Sequence, residues 1–78
     1  MNLRRTMYKL QMALCQQGRY IKINQMQTYS EKAGRMVTKF VLTEKQIMPY
    51  GHEKTVKLLE THQVAEVVKF LAAEYGGG

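Results

Sequence analysis

The chain contains no aspartate and no tryptophan, one cysteine, one proline and two histidines. One cysteine excludes an intramolecular disulfide framework. Cys15, His52 and His62 offer no CxxC and no HxxxH spacing, so the ligand set of a structural or catalytic metal is missing. Without aspartate, only a glutamate is left to orient a histidine for nucleophilic chemistry. No apolar run approaches the roughly 20 residues that cross a bilayer. Gly34 and Gly51 stand singly, and the remaining cluster, Gly76–Gly78, is terminal; none of them makes a phosphate-binding loop. Acidic residues are scarce too, and the first is Glu31. These gaps predict a protein that is not an enzyme, carries no cofactor and does not span a membrane.

What remains is a 78-residue chain with 45% hydrophobic and 23% charged residues, the balance of a folded domain. A chain of this size buries only about 60% of its unfolded surface, so its core is small. The formal charge is +6, and it is uneven. Residues 1–45 carry nine basic residues against Glu31 and Glu44, a net +7. Residues 46–78 carry three against four glutamates, a net −1. The basic first half points to an anionic partner or to solubility alone.

Leu3, Met7, Leu10 and Leu14 recur at spacings of four, three and four, and they predict an amphipathic helix over 2–17. Asn2 is its N-cap, and Gly18 closes it. Arg4 and Arg5 lie in its first turn, against the helix dipole. From Arg19 to Glu44 the β-branched and aromatic residues predict a hairpin turning at Glu31-Lys32-Ala33-Gly34. With a four-residue loop, Ser30 faces Arg35, Gln25 faces Phe40 and Ile23 faces Leu42. One face then holds Ile21, Ile23, Tyr29, Met36, Phe40 and Leu42 and covers the core. The other holds Tyr20, Lys22, Asn24, Thr28, Arg35, Val37 and Lys39. A three-residue loop bulged at Gly34 would slip that register by one.

Lys45–Glu53, with Pro49 and Gly51, reads as a loop. Thr55–Leu59 reads as a third strand, or else as the front of a helix beginning near Lys54. Val64, Val67, Val68, Leu71 and Tyr75 then mark a second helix. The predicted fold is a two-layer α+β domain of order α-β-β-(β)-α, an antiparallel sheet with two helices on one face. It occupies residues 1–75, and 76–78 form a flexible glycine tail.

The candidate contact surface is the polar hairpin face. Lys22, Arg35 and Lys39 with Tyr20 supply charge and stacking, which suits nucleic acid. Val37 and Val41 are out of place on a face meeting only water, and they suit a partner chain or a second sheet. Cys15 is expected beside the core as a small hydrophobe.

The run Tyr20-Ile21-Lys22-Ile23-Asn24-Gln25, the segment Tyr29 to Lys39 and Ala65-Glu66-Val67-Val68-Lys69 resemble short uncharacterised proteins of prophages and mobile elements of Gram-positive bacteria. The resemblance implies a bacterial cytoplasmic setting and a non-enzymatic accessory role, and it supplies no site residues. The leading expectation is a small interaction or assembly module that self-associates or joins a phage-type partner. The alternative is a nucleic-acid-binding module.

Overall fold

The computed structural model describes residues 2–77. Helix α1 spans Leu3–Gln16, and strands β1, β2 and β3 span Tyr20–Ser30, Arg35–Ile47 and Glu53–Thr61. Helix α2 spans Val64–Gly77. The strands form one antiparallel sheet in the order β1-β2-β3. Both helices pack on the same face and against each other, which is the expected two-layer α+β arrangement.

Local chemistry sets the ends of α1. The Asn2 side-chain oxygen accepts from the Arg5 backbone N–H at 3.2 Å, satisfying one orphan donor of the first turn. At the other end Gly18 adopts φ +90°. Its N–H donates to the Cys15 carbonyl, and that of Arg19 donates to the Leu14 carbonyl. This pair of bonds is a Schellman motif, and it fixes where Arg19 leaves the helix.

The hairpin closes with Ser30 opposite Arg35, and Gln25 and Ile23 face Phe40 and Leu42. Gly34, at φ +68°, ends the four-residue turn, and its N–H donates to the Ser30 carbonyl at 2.8 Å. Strand β2 runs on to Ile47, so the connection to β3 is shorter than the sequence suggests. Thr55–Leu59 is strand. A register shift between Leu42 and Thr43 opposes Leu59 to Leu42 and Lys57 to Thr43. The extra residue is Leu58, and the bulge lets both Leu58 and Leu59 pack on the core.

Met7 and Leu14 from α1, Ile21, Phe40 and Leu42 from the sheet, and Val67 and Leu71 from α2 make the buried core. Leu10, Ile23, Val64, Val68 and Phe70 pack around it. Helix α2 continues through Gly76 to Gly77; helical glycine costs about 1 kcal/mol, which weakens a turn without forbidding it. Gly78, like Met1, lies outside the described residues.

The helices are shorter than the strands. Fourteen residues of α1 reach about 21 Å, whereas thirteen residues of β2 reach about 43 Å. The molecule is accordingly long and flat, 46 × 30 × 16 Å. Helix α1 ends where β1 begins, and Arg4 near its start meets Gln25. Cover therefore stops near Gln25 and Phe40. Strand β3 also stops there, with Thr61 opposite Phe40. Beyond that row, Met26–Ser30 and Arg35–Lys39 project as a two-stranded arm.

Candidate functional site: an open sheet face and a projecting hairpin

Tyr20, Lys22, Asn24, Met26 and Thr28 of β1 share the sheet face opposite the helices with Arg35, Val37, Lys39, Val41, Thr43 and Lys45 of β2. No layer of this chain covers that face among the described residues. The parity that sends Phe40 and Leu42 inward sends Val37 and Val41 outward. Both valines are half-buried. All six residues singled out from the sequence, Tyr20, Lys22, Arg35, Val37, Lys39 and Val41, thus lie on one surface.

They do not form one cationic centre. Lys22, Lys39 and Arg35 occupy rows four residues apart, about 13 Å between neighbours. Lys39 is already engaged, with Nζ 2.7 Å from Glu60 Oε1. That hydrogen-bonded ammonium holds the Glu60 carboxyl below its usual range. Lys45 pairs with Glu53 at 3.0 Å on the same face. Lys22 and Arg35 remain without an ion-pair partner among the described residues.

The arm alters the expectation for two core residues. Tyr29 and Met36 sit opposite each other on the core-side face, as the alternation requires. They are nevertheless 63% and 54% exposed, because neither helix reaches them. Met26 is open on the other face. The arm is braced by Gln27 Nε2, which donates to Thr38 Oγ1 at 3.0 Å. His62 Nδ1 donates to the Thr38 carbonyl at 3.2 Å.

Helix α1 adds a flank beside β1. Tyr8 accepts a hydrogen bond from Gln25 Nε2, and Arg4 Nη1 donates to Gln25 Oε1 at 2.8 Å. The Arg4 guanidinium also lies 5.6 Å from the Phe40 ring centroid, a cation–π contact at the rim of the core. One turn beyond Tyr8, Met12 lines an open groove of about 720 Å³ with Cys15, Tyr20, Lys22 and Asn24. Cys15 is exposed there rather than packed as a small hydrophobe. Leu14 takes the core position, and the next residue lies about 100° around the helix.

A buried acid that the sequence reading did not single out anchors the base of the sheet. Glu44 is 8% exposed. Arg19 Nε and Nη2 each donate to its carboxylate at 2.9 Å, and Arg19 Nη1 reaches Glu74 at 3.2 Å. The guanidinium hydrogen bonds hold the Glu44 carboxyl below its ordinary range, against the opposing effect of burial. The same contacts raise the Arg19 pKa further. The signal was parity: Glu44 continues the Phe40–Leu42 alternation onto the core face. The cluster ties β2, the start of β1 and the end of α2 together. Arg19 is therefore part of the scaffold, not of an anion-binding patch.

Among the described residues no group of three histidine, cysteine or carboxylate side chains could hold a metal, and no helix is long and apolar enough to cross a membrane. No protein-family model, curated protein or solved structure matches the chain.

Proposed function

We propose that this protein is a small non-enzymatic assembly module that self-associates through its uncovered sheet, in an accessory role of the phage or mobile-element type. The observation that supports this most is the pairing of an uncovered face, with Val37 and Val41 at its centre, with an arm that leaves Tyr29, Met36 and Met26 bare. Exposed apolar groups clustered on a chain with so small a core are better explained by a contact than by solvent. Sedimentation from micromolar to millimolar concentration tests the reading: an oligomer is expected. A monomer throughout rejects it.

The second reading is nucleic-acid binding on the same face, in the basic setting of a +6 chain. Lys22 and Arg35, with Tyr20 on that face, favour it, whereas the Lys39–Glu60 and Lys45–Glu53 pairs count against it. Phosphate binding would show as affinity for mixed oligonucleotides that falls with salt, by about one log–log unit per phosphate contact. No binding at low salt excludes this reading.

A further inference from the structure

The two edges of the sheet are built differently. Strand β3 carries Glu53, Lys54, Lys57 and Glu60 in nine residues, together with a bulge. These devices keep a foreign strand away. Strand β1 has eleven residues and a single charge, Lys22. It has no proline, and its ladder with β2 runs without a register shift. By the same criteria β1 is left open to another strand.

The free part of that edge can be located. Gln11 Nε2 donates to the Ile21 carbonyl at 2.9 Å, so this carbonyl faces outward and is already satisfied. Alternation turns the backbone groups of Ile23, Gln25, Gln27 and Tyr29 outward as well. The open stretch therefore runs from Lys22 to Ser30, and its midpoint is Met26.

We propose that two copies of the chain pair antiparallel through β1 about a two-fold axis at Met26, joining their sheets into one of six strands. The proposal rests on the self-association reading above and sets the contact at the β1 edge and the arm, not on the Val37–Val41 face. In this register Met26 faces its own counterpart, Asn24 faces Thr28, Gln25 faces Gln27, and Ile23 faces Tyr29. Lys22 lies opposite Ser30, so the only charge of the strand never meets itself.

Side chains favour the same arrangement. A stable interface buries about 1,200 Å² or more in total, so a ladder needs contacts beside it. Tyr8 meets Gln25 on the core side of the β1 edge, and Met12, one turn on, lines the groove with Tyr20 and Lys22. A further open groove of about 460 Å³ runs along α1 past Tyr8, Met12 and Ala13. Strand addition slides the arm of the second copy beneath this flank. Its Tyr29, opposite Ile23, then comes under Tyr8 and Met12. Tyr8, Met12, Met26 and Tyr29 are all exposed in the single chain, and one two-fold contact covers them together. The arm that outruns its own helices is roofed by those of its neighbour.

The test places single cysteines in a Cys15→Ser background. Met26→Cys is expected to give a covalent dimer under mild oxidation, because residues facing each other at a non-hydrogen-bonded antiparallel pair lie about 4.5 Å apart between Cα atoms. Asn24→Cys and Thr28→Cys should each fail alone and cross-link when mixed. Gln27→Pro removes one outward N–H without touching the β1–β2 ladder, and Met26→Lys sets like charges opposite each other; each should shift the chain to monomer while it stays folded. Self-association that survives both variants, gives no position-26 cross-link and yields to Val41→Glu overturns the β1 pairing but leaves the assembly reading standing. A monomer at every concentration overturns both.

Discussion

The base of the hairpin and its arm are built from one alternating pattern, yet they have opposite fates. At the base, Ile21, Phe40 and Leu42 are sealed under two helices. In the arm, Tyr29 and Met36 occupy the same face in the same register and stand in solvent. Nothing in the strand itself distinguishes them. The difference lies in the reach of α1, about 21 Å against a strand about twice that length. Burial is decided by the partner layer, not by the strand's own periodicity. An apolar face left uncovered by its own chain is where a second molecule is to be sought.

Substitution at matched positions breaks that comparison most sharply. Leu42→Ala opens a cavity in the base and should cost about 2–5 kcal/mol. Met36→Ala, in the arm, should stay within about 0.5 kcal/mol in dilute solution. Urea unfolding of both variants checks this; equal losses would mean that the arm is part of the core. Glu44→Gln removes the charge-assisted bonds from Arg19 at the base, and an expected loss of roughly 1–2 kcal/mol reflects a pair that is partly open to water.

Acid sharpens the same point. The folded Glu44 carboxyl titrates below its ordinary value of 4.5 because the Arg19 guanidinium favours the anion. Its stabilisation is complete above the unfolded value and fades as pH falls through the lowered folded one. Unfolding followed from neutral pH downward should show that loss in the native chain and much less of it in Glu44→Gln. A small effect belongs to the turn of the arm. Gly34→Ala forces a side chain into a left-handed turn position at φ +68°, costing about 1 kcal/mol. Hydrogen exchange should quicken most across Met26–Lys39, and the buried amides of Leu42 and Val67 by no more than about fivefold, the effect of about 1 kcal/mol on global unfolding.

Much of this architecture was legible in the residues. The Leu3–Leu14 stripe, the Asn2 cap and Gly18 marked the first helix, and the turn at Glu31–Gly34 set the hairpin register that the structure has. Three features were not legible, each because it depends on a relation between elements. The exposure of Tyr29 and Met36 depends on helix length against strand length. The loss of Lys39 and Arg19 as free cations depends on Glu60, Glu44 and Glu74, which are distant in sequence. The openness of β1 emerges only when it is compared with the guarded edge of β3.

Amide exchange along β1, followed residue by residue as the protein is concentrated, tests the account most directly. The inward N–H groups of Lys22, Asn24, Met26 and Thr28 should be protected at every concentration. The outward ones of Ile23, Gln25, Gln27 and Tyr29 should exchange rapidly when dilute and slow together as the chain is concentrated. Rapid exchange at those four positions at all concentrations would contradict it.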